Sequence, residues 1–461
     1  MKRTLTAFAL VFLAVCAGAA AAGAGVFSAR EDVRVTQTAV YGDASAANGL
    51  TVTAAAQYAD ERFWETVCTP GDDFSCTARY SFSQTGETAE PREPSEYLRL
   101  STGLRLGLDN DVQGGISDAY RDLFEETAPG TESERVVRLA DYYDYYPISV
   151  SFSLGGVSDE YGEEALRHDA LGEREGAFLE ALNAYFRIPV LEEEEVRISI
   201  GKDARGNVAS TGSGSTDADS YAMTCLSAVR DGVCWFAFDA HTFEGKLVDT
   251  SLLPGGFGVY RLTFAPDGEG GLAFGPVETL CSLDPEDSVL GLTLSGDGSR
   301  LLVHEDSGGD YRILAVDTKT GETRQDERLP DFFESSWLNL REGDGVLAVW
   351  TGLSRLAVVE TAPDGSFRFA LDAALYPDPE NPLFSMADST LSLAFDGERL
   401  AVSGSLTGAY SHVKTADFFV AVYEGDGLKY YGEYASGLRT EQEREKGEGM
   451  CGMEEIRAEW G

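Results

Sequence analysis

The chain has 461 residues, 78 of them acidic and 36 basic, giving a formal charge of −42 at neutral pH. Such a field repels phosphate backbones and anionic headgroups over about 10 Å at 0.1 M salt, so nucleic acid is not an expected partner. A body of this length buries a sizeable core without metals or staples, and seven cysteines do not make it a disulfide-dependent scaffold.

Lys2 and Arg3 precede an uncharged stretch, Leu5 to Phe27, whose first part, Leu5 to Val15, is strongly apolar. This is the layout of a secretory signal, with small-residue cleavage sites such as Ala20-Ala21-Ala22. Taken whole, the stretch is also just long enough to span a bilayer. Residues 1–27 are therefore expected to be a signal peptide or a membrane anchor. Cys16 follows Leu13-Ala14-Val15, and valine fits poorly before a lipidated cysteine. No second stretch approaches spanning length, which excludes a multi-span transporter.

A strand is expected at Val33 to Tyr41, and two more at Leu50 to Tyr58 and Cys76 to Ser83, joined by an aromatic segment at Phe63-Trp64. Cys68 and Cys76 flank Thr69-Pro70-Gly71-Asp72-Asp73-Phe74-Ser75, a hairpin turn that predicts a cross-strand disulfide. Glu87 to Ser95 reads as a solvated loop, and Leu98 to Leu108 alternates like a half-buried strand. Ile116 to Thr127 predicts a helix capped by Ser117 or Asp118, with Tyr120, Leu123 and Phe124 on one face and Pro129-Gly130 ending it.

Four tyrosines, at positions 142, 143, 145 and 146, suit either stacking on sugars or peptides or an irregular entry into a strand at Ile148 to Leu154. A second helix is expected over Glu173 to Phe186 and a strand over Val196 to Ile200. Glu192 to Glu195 would bind a hard cation only if the chain bent to converge the carboxylates; a solvated loop is the expectation. Gly212-Ser213-Gly214-Ser215 reads as flexible punctuation, and Asp217 to Ser220 lacks the glycine and glutamate of a calcium loop.

From Ala222 onward, short apolar strands alternate with Asp-Gly turns. Cys225 to Val229 and Val233 to Phe238 flank Asp231-Gly232, a register that sets Cys234 opposite Val229 and argues against a Cys225–Cys234 bond. Comparable four-strand units surround Asp297-Gly298, Asp344-Gly345 and Asp396-Gly397, their inner strands spaced by 47 residues from Leu290 to Trp337 and 54 from Trp337 to Leu391. That spacing is near that of propeller blades, and circular closure removes the exposed apolar ends that a linear stack would leave.

The run Leu294-Ser295-Gly296-Asp297-Gly298-Ser299-Arg300-Leu301-Leu302-Val303 resembles the S-x-D-G-x-x-L turn of periplasmic TolB-like and YVTN/WD40-like propellers. Ala315-Val316-Asp317-Thr318-Lys319-Thr320-Gly321-Glu322 is similar to their D-x-x-T-G-E hairpin. The resemblance covers Ala222 to Gly437 and implies an exported bacterial protein with a propeller fold. The expected organisation is all-β: a single β-propeller of six or seven blades over 28–440, with irregular blades and helical insertions at 50–212 and regular blades at 222–437. A charged tail containing Cys451 is expected at 441–461, outside the ring.

No catalytic, cofactor-binding or metal-binding residue stands out. The histidines at 168, 241, 304 and 412 are dispersed, and no C-x-x-C occurs. Gly255-Gly256-Phe257-Gly258 lacks a P-loop lysine, and Gly156 to Ser158 lacks the last glycine of a nucleophile elbow. The expected function is a non-catalytic binding or scaffold protein of the cell envelope, secreted or membrane-anchored, with no cofactor. It would act as a monomer on a protein, peptide or glycan at the cell surface, touching the membrane through residues 1–27 if these are retained. The alternative is a carboxylate-dependent glycan-active hydrolase, which needs two carboxyl groups about 5 to 9 Å apart.

Overall fold

The computed structural model describes residues 33–58, 61–84, 98–103, 115–145, 149–154, 185–187, 189–193, 195–215, 225–238, 250–251, 253, 255–266, 272–333, 338–343, 345–362, 365–384, 386, 391–407, 414–436 and 452–461. The architecture is almost entirely β, with a helical segment in the N-terminal half. It divides into two compact units: residues 1–90, 339–361 and 367–461 form the first, and 91–338 with 362–366 the second. Residues 1–27, Cys16, Cys451, the Asp217 to Ser220 segment, Gly156 to Ser158 and three of the four histidines lie outside the described residues. Among the described residues no helix is long and apolar enough to cross a membrane.

The first unit opens with β1 (Thr36–Gly42), β2 (Leu50–Tyr58), β3 (Glu61–Thr69) and β4 (Ser75–Gln84). The Phe63-Trp64 segment expected to join two strands lies inside β3, where Trp64 packs edge-on against Tyr80 of β4 at 5.8 Å. Cross-strand aromatic packing of this kind favours an extended chain over a loop. Cys68 pairs with Cys76 across β3 and β4, and the two form a disulfide with a Cα separation of 4.0 Å.

The second unit contains β5 (Leu98–Gly103), α1 (Gly115–Glu126), β6 (Glu132–Arg138), β7 (Ser149–Leu154), β8 (Glu195–Lys202) and β9 (Val208–Ser215). Helix α1 buries Ile116, Tyr120 and Leu123. It begins before Ser117 and Asp118, so neither is its cap; the Ile116 N–H donates to the Tyr143 hydroxyl at 3.2 Å. Gly212-Ser213-Gly214-Ser215 is not punctuation but the end of β9, paired with β8. A Cβ on Gly212 would lie 2.6 Å from Ser199 Oγ, so the small residues permit close strand contact. Glu192 and Glu193 are exposed in a turn, as the expected solvated loop requires, but Glu195 already opens β8, and Glu194 lies outside the described residues.

Next come β10 (Cys225–Arg230), β11 (Val233–Phe238), β12 (Gly258–Pro266), β13 (Leu272–Phe274) and β14 (Glu278–Ser282), then the antiparallel meander β15 (Ser288–Leu294), β16 (Arg300–Ser307), β17 (Asp310–Asp317) and β18 (Thr323–Leu329). Asp231 and Gly232 both take positive φ, 50° and 72°, the geometry an Asp-Gly hairpin needs, and Val229 faces Cys234 in the anticipated register. Of the second expected helix only Tyr185 and Phe186 are described; Phe186 is buried against Phe238 at 4.8 Å and Tyr260 at 4.6 Å.

The chain then returns to the first unit with β19 (Asn339–Gly343), β20 (Val346–Thr351), β21 (Arg355–Thr361), β22 (Phe367–Ala374), β23 (Ser392–Phe395), β24 (Arg399–Thr407), β25 (Lys414–Glu424), β26 (Gly427–Ala435) and β27 (Gly452–Trp460). β19 to β22 and β23 to β26 are two four-strand meanders, linked by one parallel bridge from Ala374 to Gly427, with β1 added beside β26. Of the expected tail, 441–451 lie outside the described residues, and 452–460 are not a tail but β27, which pairs along β2 from Leu50 opposite Trp460 to Gln57 opposite Gly452. Its charges hide a period of two, since Ile456 and Ala458 are buried while Glu455, Arg457 and Glu459 are exposed. Arg399 clasps this region, donating to the carbonyls of Ala46 and Asn48 and stacking over Trp460 at 3.9 Å.

Candidate functional site

The second unit holds a cleft of about 440 Å³ built from the ends of its strands and their turns. Val233, Leu262 and Pro276 supply its apolar part, and Arg230, Arg261 and Lys319 its positive charges. The hairpin geometry at Asp231-Gly232 brings the end of β10 to this place, and the two recurrent turns of the β15–β18 sheet form the facing wall.

Those turns are rigid for identifiable reasons. Asp297 Oδ1 accepts from Ser295 Oγ at 2.8 Å and from the Ser299 N–H at 2.9 Å, while Ser295 Oγ accepts from the Arg300 N–H at 3.0 Å. These donors, the Ser299 backbone foremost, hold the Asp297 carboxyl down at about 2. In the second turn, Asp317 Oδ1 accepts from the N–H groups of Lys319 and Thr320 at 3.0 and 2.9 Å. Thr318 Oγ1 donates to the Gly298 carbonyl at 3.0 Å, tying the turns together. The serine, aspartates and glycine of the two sequence runs thus make the frame of the cleft.

Arginines pin the opposite wall to that frame. Arg230 Nη1 donates to the carbonyls of Ser295 and Gly296 at 3.2 and 2.8 Å, and Arg261 Nη2 pairs with Glu278 at 2.7 Å. Arg230 Nε stands 3.6 Å from the largely exposed Asp231. Lys319 is exposed and forms no ion pair among the described residues. None of these three cations stands out in the sequence: Arg230 ends β10 and Lys319 lies in the turn after β17, but Arg261 sits in the middle of β12.

A second polar group lies in the β15–β18 sheet, buried at Glu305 and Asp287 and open to solvent at Asp326. Arg312 Nη1 reaches Asp287 at 3.0 Å and Glu305 at 3.4 Å, and Nη2 reaches Asp326 at 2.8 Å. Burial pushes the Glu305 carboxyl up to about 7, and its Oε1 has no hydrogen-bond partner. A raised carboxyl beside a second one is the electrostatic arrangement of a glycosidase acid, but Glu305 is wholly buried, and no substrate oxygen can reach it from solvent. His304 is likewise enclosed, with Nε2 at 2.9 Å from Thr293 Oγ1 and Nδ1 at 2.7 Å from the Tyr311 hydroxyl. Burial lowers it to about 3, so it is neutral at physiological pH.

The other singled-out residues are structural. Tyr142 and Tyr143 pack against the core of the second unit, while Tyr145 is partly exposed and lies under the Arg187 guanidinium at 5.7 Å. Gly255 and Gly256 form a turn with φ of 72° and 83°. Cys281 is a free thiol, and burial raises it to about 11, away from nucleophilic use. Among the described residues no three His, Cys, Asp or Glu side chains converge to hold a metal.

No family model matches the chain, and no curated protein matches it. Solved structures show a distant, low-identity resemblance to propeller-type folds. The β-propeller domain of Cps50 (Swd1) from Myceliophteria thermophila is 13% identical, over 54% of this chain and 71% of that one, with a TM-score of 0.25. Kluyveromyces lactis Hsv2 is 12% identical over 51% and 66%, with a TM-score of 0.25. A putative 6-phosphogluconolactonase from Bacteroides fragilis is 10% identical over 84% and 83%, with a TM-score of 0.26. Similarity at this level carries no argument about function.

Proposed function

We propose that the chain is an exported, non-catalytic binding or scaffold protein of the cell envelope, and that the cleft of the second unit is where it engages its partner. The observation that supports this best is the construction of the cleft: an apolar floor beneath charged side chains, two of them fixed by hydrogen bonds to backbone carbonyls. Preorganised donors around an apolar recess suit recognition, because little side-chain order remains to be lost on binding. Export is favoured by the Cys68–Cys76 pairing, since such bonds persist in oxidising compartments, and by the basic, then apolar, N-terminus. The same reading takes the four-strand sheets as blades of a single β-propeller of six or seven, acting as a monomer. Fractionation with external protease tests the location: the body should be cleaved in intact cells or spheroplasts, and full-length protein protected in the cytoplasm would refute export. Hydrogen exchange with candidate peptides and glycans tests the site, which should gain protection at 230–235 and 295–299. Protection confined to another surface would move the binding site elsewhere.

A further inference from the structure

Resting on that reading, we infer that the cleft binds an acidic peptide segment, taking one carboxylate between Lys319 and Arg230 and the neighbouring aliphatic side chain over Val233 and Pro276. The net charge of −42 disfavours any anion at long range, but the relevant distance is short. Beyond about 10 Å, salt screens the remaining charges, so local groups decide what the cleft accepts.

Within it the acidic groups are already engaged. Glu278 is paired with Arg261 at 2.7 Å, and Asp297 is held by Ser295 and Ser299. Asp231 is the loosest, 3.6 Å from Arg230 with its side chain 91% exposed, and can swing into water at little cost. The unused capacity is cationic: the Lys319 ammonium, and the Arg230 guanidinium whose plane two carbonyls already fix. A carboxylate placed there gains charge-assisted hydrogen bonds and frees neither wall.

The floor selects a peptide over an acidic sugar. Sugars stack on exposed aromatic faces, and Trp235, the one aromatic lining residue among the described residues, is only 6% exposed with its indole N–H donating to the Thr318 carbonyl at 3.4 Å. What remains open is aliphatic, in the form of Val233 and Pro276.

The test uses the full mature chain and three capped pentapeptides, Ala-Val-X-Val-Ala with X as Glu, Gln or Lys, alongside an oligoglucuronate. Calorimetry gives affinity and hydrogen exchange gives location. The Glu peptide should bind about tenfold tighter than the Gln peptide, with protection at 230–235 and 318–319 and weakening with salt. Lys319→Met, a change at an exposed turn residue, should abolish that tenfold preference, and Arg230→Gln should reduce it. Equal binding of Glu and Gln peptides at the cleft, or preference for Lys, would reject the inference while leaving the cleft as a binding site. Protection by the glucuronate alone would reject the peptide class. Failure of every probe to protect the cleft would overturn both readings.

Discussion

The β15–β18 and β19–β22 sheets are built to the same four-strand plan yet treat burial differently. In β20, Val346 to Thr351 are all buried and none is charged. In β16, the buried run continues through His304 and Glu305. The strand period sends these two to opposite faces, so each needs its own partner from β17: Tyr311 for His304, and Arg312, directly opposite in register, for Glu305. An apolar strand finds its stability in packing alone, while a polar buried strand depends on particular neighbours.

The largest effect should come from removing such a neighbour. Arg312→Met leaves Asp287, Glu305 and Asp326 facing one another without their cation, and should destabilise the second unit by about 3–5 kcal/mol. Equilibrium unfolding followed by exchange of β16 and β17 amides would check it; a change below 1 kcal/mol would mean that the carboxylates are not held by Arg312. The matching change in the apolar sheet is Leu356→Ala, where a wholly buried side chain leaves a cavity costing about 2–4 kcal/mol. This cost should not vary between pH 5 and 8, because nothing titratable is uncovered. A pH-dependent loss there would erase the distinction between the two sheets.

A smaller change tests the first unit. Replacing both Cys68 and Cys76 with serine should cost about 2–3 kcal/mol, since the bridge closes a short loop over a sequence separation of 8. The same cysteine pair shows what sequence makes legible. Two cysteines around a Pro-Gly turn, and Asp-Gly dipeptides between apolar runs, act locally, so β3–β4 pairing and the three meanders from Ser288 to Ala435 could be read directly. β27 could not, because its partner β2 lies some 400 residues earlier and its charges conceal the buried Ile456 and Ala458. The frame of the cleft was visible in the turns around Asp297 and Asp317. Its cations were not, because Arg230 at the end of β10, Arg261 inside β12 and Lys319 in the turn after β17 meet only when three separate strands come together.

The finest test of the comparison is Glu305→Gln, read as a function of pH. Burial raises the folded-state carboxyl to about 7 from its ordinary 4.5, so between those values the folded chain binds more protons than the unfolded one. Stability from this group is therefore full below pH 4.5, falls as pH rises toward 7, and is level above it. His304 acts in the other direction. Its folded value near 3 lies below the ordinary 6.5, so its contribution is full above pH 6.5 and is lost as pH falls toward 3. Between pH 4.5 and 6.5 the two slopes oppose and partly cancel in the parent protein. Glutamine preserves the volume of Glu305 and cannot ionise, while Asp287 and Asp326 still engage Arg312. The variant should match the parent near pH 4.5, gain on it up to pH 7, and exceed it on the order of 1 kcal/mol at pH 8, the gain limited by the incompletely bonded amide. Its acid limb, set by His304, should be unchanged. Unfolding midpoints measured from pH 4 to 8 decide the matter: a parent-to-variant difference that does not grow with pH would mean that Glu305 keeps an ordinary carboxylate in the fold, and that Arg312 compensates its burial completely.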